Sequence, residues 1–71
     1  MGLEPRRCLI PDLLDKLGWT QRQLSEHSGV HEKKISKYVT MKVRHMPLGD
    51  AIPIAEALGV TERMLYEWAR E

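Results

Sequence analysis

Residues 20–39, TQRQLSEHSGVHEKKISKYV, are typical of two short helices joined by a tight turn. Thr20 and Gln23 have the spacing of a capping box, in which each side chain accepts a hydrogen bond from a backbone N–H that the helix end leaves free. Gly29 is expected to end the first helix, because glycine adopts the left-handed conformation without steric cost. The second helix is predicted from about residue 32 to residue 39.

This second predicted helix has one apolar and one charged face. Ile35, Tyr38 and Val39 are expected to face inward, and Val30 lies beneath the turn. Two helices, a glycine turn and a basic outer face are the parts of a helix-turn-helix, whose second helix enters the major groove of DNA. The outer face is formed by Glu32, Lys33, Lys34 and Lys37.

The net charge of the 71-residue chain is only +1, but its positive charge is concentrated. Residues 31–45 contain five lysines and arginines against one acidic residue, and the remainder has six basic residues against nine acidic ones. A positive segment on an otherwise acidic body favours interaction with polyanions. Because helix surfaces are often charged, an ordinary solvated face is the alternative interpretation.

Length and composition exclude several classes of protein. The chain is long enough for one domain, residues 1–71, and a domain of this size buries only about 60% of its unfolded surface, so a partner subunit would add stability. No apolar run is long enough to span a membrane, and the start shows no secretory signal. Cys8 is the single cysteine, which favours a cytoplasmic protein without disulfides.

Catalytic chemistry has no sequence support. The three histidines and Cys8 share no metal-ligand spacing. No glycine-rich loop follows a strand, because no strand is apparent, and the three serines are explained by helix packing and caps. We therefore predict a protein that is not an enzyme, with no catalytic residue, no metal, no cofactor and no small-molecule ligand.

The segment before the helix-turn-helix predicts one helix. Residues 1–6 have no periodic signal and are expected to be frayed. In the run RCLIPDLLDKLG the helix should begin between Arg7 and Ile10, because Pro11 is tolerated only in the first turn. Trp19, just before the cap of the next helix, is expected to belong to the core.

A fourth helix is predicted to end at Leu58, with Ile52 and Ala55 also on its inner face. Pro53 would remove a backbone hydrogen bond from the helix interior. A late start is therefore favoured, with Asp50 as N-cap, over a start two residues earlier.

Residues 61–71, TERMLYEWARE, predict a fifth helix capped by Thr61. Leu65 is expected in the core. Met64 and Trp68 stand four residues apart on a neighbouring face, which makes them candidates for a dimer interface. Packing within the same chain is the alternative for these two residues. The expected fold class is all-α, a compact five-helix domain with the helix-turn-helix at helices 2 and 3.

A longer pattern joins the helix-turn-helix to the rest of the chain. It comprises Thr20-Gln21, Leu24, Ser25, Gly29-Val30, Ile35-Ser36 and Tyr38, and continues through Leu48 to AEALGV at 55–60. This pattern resembles that of the Cro/Xre-like (lambda-repressor-like) helix-turn-helix family of phage and bacterial transcriptional regulators. The resemblance covers nearly the whole chain and implies the five-helix fold of that family.

The resemblance also implies which residues contact DNA. Positions that face base edges in relatives hold Glu32, Lys33 and Lys37; lysines can donate to guanine, and a glutamate can accept from cytosine. Phosphate contacts are expected from Gln21, Lys34, Lys42 and Arg44.

Two positions depart from the family pattern. Many relatives have Glu-Asn-Gly-Lys where this chain has Val39-Thr40-Met41-Lys42, so the conformation of the loop without its glycine stays open. His31 occupies the place of the usual serine cap. It either caps poorly or touches phosphate when protonated.

The function that these features predict is a sequence-specific DNA-binding transcriptional regulator, of the phage or mobile-element repressor type. It would bind double-stranded DNA as a homodimer, with the helix at about 32–39 in the major groove of an inverted-repeat operator. The alternative is a protein-interaction module on the same fold, such as an antirepressor or an antitoxin, because fold alone does not settle function.

Overall fold

The computed structural model describes residues 2–70, in which four α-helices lie between two terminal strands. The elements, in chain order, are β1 Leu3–Cys8, α1 Ile10–Leu17, α2 Gln21–Ser28, α3 Glu32–Val39, α4 Leu48–Leu58, a short 3₁₀ helix Glu62–Leu65 and β2 Tyr66–Arg70. The prediction of an all-α domain with five helices is therefore wrong at both ends of the chain, and the four central helices are confirmed.

The strands β1 and β2 form a two-stranded antiparallel sheet, in which Leu3 pairs with Arg70 and Cys8 pairs with Tyr66. An irregularity between Pro5 and Arg7 interrupts the register. Residues 1–6 were expected to be frayed, but residues 3–6 belong to β1. Of the helix expected over 61–71, only the 3₁₀ helix Glu62–Leu65 is present, and the chain is extended from Tyr66 to Arg70. Tyr66 and Trp68 favour extended structure, and a partner strand from the other end of the chain overrides local helix propensity.

The predicted ends of α1 and α2 are confirmed. α1 begins at Ile10 with Pro11 in its first turn, where the missing N–H has no intrahelical partner. Thr20 caps α2, and the reciprocal bonds of the capping box are both present, at 2.8 Å and 3.2 Å. Gly29 ends α2 in the left-handed conformation, with φ of 78°.

α4 begins earlier than predicted. Pro47 is its N-cap, and the carbonyl of Pro47 accepts from the N–H groups of Asp50 and Ala51 at 3.0 Å and 2.8 Å. Asp50 is not the cap, because it lies inside the first turn with its carboxylate engaged by Tyr38 of α3. Pro53 consequently lies inside the helix, where its ring nitrogen leaves one carbonyl without an intrahelical donor.

The core joins all elements of the chain. α2 packs against α3 and α4, and the 3₁₀ helix packs against α4. Ile52 was assigned to the inner face of α4 but is 43% exposed, and Ile54 is the fully buried isoleucine. Trp19 is half-buried at the edge of the core and stacks on His27, with ring centroids 4.3 Å apart. The fully buried side chains are those of Pro5, Ile10, Leu24, Ile35, Ile54 and Leu65.

Candidate nucleic-acid interface

The outer face of α3 is open to solvent, as the sequence predicted. Ile35 is fully buried and Tyr38 is 4% exposed, and both lie on the inner face. Within residues 2–70, Lys33 and Lys37 have no carboxylate within ion-pairing distance. The exposed residues of this helix are Glu32, Lys33, Lys34, Ser36 and Lys37.

The beginning of α3 is fixed by His31. Its Nδ1 accepts a hydrogen bond from the backbone N–H of Lys33 at 3.1 Å, in an extended N-cap conformation. A neutral imidazole nitrogen can thus perform the task of the serine hydroxyl that is usual in the family. Of the two predicted roles for His31, the structure supports a cap.

The end of α3 shows how this chain terminates the helix without the glycine that relatives have there. Met41 adopts the left-handed conformation, with φ of 62°, at the place where relatives have glycine. The N–H groups of Met41 and Lys42 then close the helix by bonding the carbonyls of Tyr38 and Lys37, at 3.1 Å and 3.0 Å. This is the bonding pattern of a Schellman motif, in which a non-glycine residue is strained by roughly 1–2 kcal/mol. Lys42 therefore follows α3 directly, exposed beyond its last turn.

The four predicted phosphate-contacting residues differ in their surroundings. Gln21 is the first residue of α2 and is half-buried. Arg44 has a guanidinium nitrogen 3.7 Å from the Glu4 carboxylate of β1, with both side chains at least half exposed. Such exposed pairs contribute little and exchange readily, so Arg44 stays available to another anion. The structure thus brings β1 next to the loop that follows α3.

Lys34 is the one lysine of α3 that is drawn toward the body of the domain. Its Nζ lies 3.8 Å from Oδ2 of Asp50 in α4, and its side chain remains 60% exposed. This arrangement agrees with the sideways orientation expected for Lys34. It also leaves Lys33 and Lys37 as the outward cations of α3.

Asp50 is a residue whose role sequence reasoning missed. The hydroxyl of Tyr38 donates to Oδ2 of Asp50, the same oxygen that Lys34 approaches. Burial, and then the hydrogen bond to Asp50 and its charge, raise the pKa of Tyr38 to about 12, so the phenol remains a donor at neutral pH. A signal was present, because an inward-facing tyrosine needs a partner for its hydroxyl.

The residues proposed for a dimer interface do not share a helix. Met64 lies in the 3₁₀ helix and is 52% exposed, whereas Trp68 lies in β2 and is half-buried. The indole N–H of Trp68 donates to the carbonyl of Arg63 at 2.7 Å, and its ring contacts that of Tyr66 edge to face. The two side chains line a common shallow hollow with Leu9.

Other kinds of site have no counterpart in the described chain. Among residues 2–70, no group of three or more histidine, cysteine, aspartate or glutamate side chains is placed to hold a metal ion. None of the described helices has the length and apolar character needed to cross a bilayer.

Comparison with known proteins identifies the family of the chain. The sequence model of a helix-turn-helix family matches residues 12–65, which run from α1 to the 3₁₀ helix. The chain belongs to this family, the Cro/Xre-like helix-turn-helix proteins, which are phage and bacterial transcriptional regulators.

A curated relative extends the match to both strands. The chain is similar to YopS of Bacillus subtilis (strain 168), described as an SPbeta prophage-derived, uncharacterized HTH-type transcriptional regulator. The two are 35% identical over 69 residues, which cover 97% of this chain and 93% of the relative. No solved structure gives a significant match.

Proposed function

We propose that this protein is a DNA-binding transcriptional regulator that places α3 in the major groove of an operator. The observation that carries the proposal is the solvent-exposed face of α3, where Lys33 and Lys37 lie one turn apart. The opposite side of this helix is buried in the core. A rigid helix with outward donors is what direct readout of base edges requires. Membership of the helix-turn-helix family and the prophage origin of its relative support a repressor of phage or mobile-element type.

Base recognition is assigned to three residues of α3. Lys33 and Lys37 would donate to O6 or N7 of guanine. Glu32, in the first turn, would accept from a cytosine amino group and would repel a misplaced phosphate. Together the three side chains give the helix a preference for G·C pairs at the positions that it faces.

Phosphate contacts surround this reading face. Gln21 begins α2, where the N-terminal N–H groups point at an anion. Lys42 and Arg44 follow the last turn of α3, and the exposed ammonium of Lys34 flanks it. These groups set the register of the protein on DNA and carry its salt dependence.

A homodimer is the proposed binding unit. Two copies would place their α3 helices about 34 Å apart on one face of the duplex, and the operator would be an inverted repeat. Met64 and Trp68 line one hollow near the C-terminal strand, which Asp12, Lys16 and Arg63 flank, and they are the proposed centre of the dimer interface.

A selection from random duplexes tests the proposed function. Enrichment of a palindromic consensus, bound more tightly than a scrambled duplex at several salt concentrations, is the expected result. No binding to any duplex at low salt, together with capture of a protein partner, would instead favour the antirepressor or antitoxin class.

Lys42→Ala separates phosphate contacts from base contacts. We expect affinity to fall for the selected and scrambled duplexes alike, and the slope of log K against log salt to flatten by about one unit. Arg6→Ala, which removes an exposed cation of β1 outside both α3 and the proposed dimer hollow, is the matched control. An unchanged slope for Lys42→Ala would remove this residue from the interface.

A further inference from the structure

Asp50 joins α3 to α4 at two points. Its Oδ2 accepts the hydroxyl hydrogen of Tyr38 and lies 3.8 Å from Nζ of Lys34. Tyr38 and Lys34 are four residues apart and therefore lie on the same side of α3, one turn from each other. Within residues 2–70, every polar side-chain contact between α3 and α4 ends on this carboxylate.

The hydrogen bond from Tyr38 to Asp50, hereafter the tether, links two helices that otherwise pack little against each other. α2 packs against both α3 and α4, whereas direct packing between α3 and α4 is slight. Ile35 anchors α3 in the core through apolar contacts, which contain no directional bond of their own. A hydrogen bond to Tyr38 is directional, so it restrains the angle at which the opposite face of α3 is presented.

The surroundings of Asp50 make the tether durable. Its side chain is 18% exposed, so water competes little for the carboxylate. It lies in the first turn of α4, where the helix dipole favours a negative charge. Tyr38 is 4% exposed, and its raised pKa keeps the phenol protonated far above neutral pH.

We propose that Asp50 is a positioning residue for DNA reading: by accepting the hydrogen bond of Tyr38, it fixes the orientation of α3 and of the face that carries Lys33 and Lys37. This inference rests on the proposed function. Asp50 itself contacts no DNA. It acts on specificity by setting the direction in which Lys33 and Lys37 point.

Two pairs of variants separate this role from plain stability. Tyr38→Phe removes the bonded hydroxyl, and Tyr66→Phe is the matched control, because within residues 2–70 the buried hydroxyl of Tyr66 bonds no side chain of α3 or α4 and has only the Met46 backbone beside it. Asp50→Ala removes both contacts. Asp50→Asn keeps an acceptor for Tyr38 but loses the charge that attracts Lys34.

The measurement is the ratio of affinities for a duplex selected with the wild-type protein and for a scrambled duplex, corrected for the folded fraction. We expect Tyr38→Phe and Asp50→Ala to lower this ratio by on the order of five- to tenfold, and Tyr66→Phe to leave it unchanged. Asp50→Asn should lower the ratio less than Asp50→Ala does, because the amide oxygen of asparagine can still accept the hydrogen bond of Tyr38.

Amide hydrogen exchange without DNA provides a second readout. The amides of α3 should exchange faster in Tyr38→Phe than in Tyr66→Phe, because only the first variant loses the tether. Unchanged affinity ratios in folded Tyr38→Phe and Asp50→Ala would overturn the positioning role while leaving the proposed function intact. A wild-type protein that prefers no duplex would overturn both.

Discussion

Residues 20–39 and the pair of terminal strands are built from contacts of very different reach along the chain. In the helix-turn-helix, Thr20 and Gln23, three residues apart, each accept a hydrogen bond from the other's backbone N–H. His31 caps α3 by accepting from the backbone N–H of Lys33, two residues further on. In the sheet, Leu3 must find Arg70. The first region is specified by short-range bonds, and the second forms only when the helices between the strands have brought the two ends of the chain together.

This difference separates the region that we propose to read DNA from the region that closes the domain. The helix-turn-helix carries the exposed basic face, and its inner side supplies Leu24 and Ile35 to the core. The sheet contributes the buried Pro5, Cys8 and Tyr66 to the other side of that core. We therefore expect damage to either region to unfold the protein, but only damage to the first to alter which DNA is bound.

The largest expected effect tests the core of the helix-turn-helix. Leu24→Ala and Ile35→Ala should each lower the free energy of unfolding by about 2–5 kcal/mol, because both side chains are fully buried. Ile52→Ala is the control, since this side chain is 43% exposed, and it should cost less than about 1 kcal/mol. Denaturant unfolding followed by circular dichroism measures all three, and equal losses would contradict the assigned inner faces.

The second prediction tests the sheet. Deleting residues 2–7 should lower the free energy of unfolding by about 2 kcal/mol or more, because the buried Pro5 is removed and β2 loses most of its partner strand. The helical signal of the folded protein should be retained. Deletion of Gly2 alone is the control and should have little effect. A frayed N-terminal arm would instead be removed at no cost in stability.

A smaller effect is expected at the turn between α2 and α3. Gly29→Ala should destabilise the protein by about 1 kcal/mol, because φ of 78° is unfavourable for a residue with a Cβ atom. Gly49→Ala is the matched control, since Gly49 lies in α4 with open space around its Cα. There alanine should stabilise the helix by up to about 1 kcal/mol. Thermal unfolding should show melting temperatures that shift in opposite directions.

The two regions also differ in how far the sequence predicts them. Caps, glycine turns and helical periodicity are local, so the bounds of α2 and α3 and the outward lysines follow from residues 20–39 themselves. Considered alone, residues 61–71, which include β2, predict a helix. Its partner strand, β1, is more than fifty residues away in the sequence, and residues 1–6 contain no local pattern that predicts a strand.

Side-chain partners were predictable only where they are close in sequence. The capping box is an example, whereas the bond from Tyr38 to Asp50 crosses from one helix to another. Asp50 satisfies the local rule for an N-cap, and a tertiary contact uses its carboxylate instead. The strained turn at Met41 is similar, because the closing bonds to Tyr38 and Lys37 hold a conformation that methionine alone disfavours.

The central claim is that the outward face of α3 reads DNA, and anisotropy titrations of three variants test it most directly. Lys33→Ala and Lys37→Ala should each weaken binding to the selected duplex by about 1–3 kcal/mol and relax its preference at one or two base pairs. Arg6→Ala, which removes an exposed cation of β1, should change affinity by less than about twofold. Equal effects of all three substitutions, or equal losses on selected and scrambled duplexes, would contradict the account.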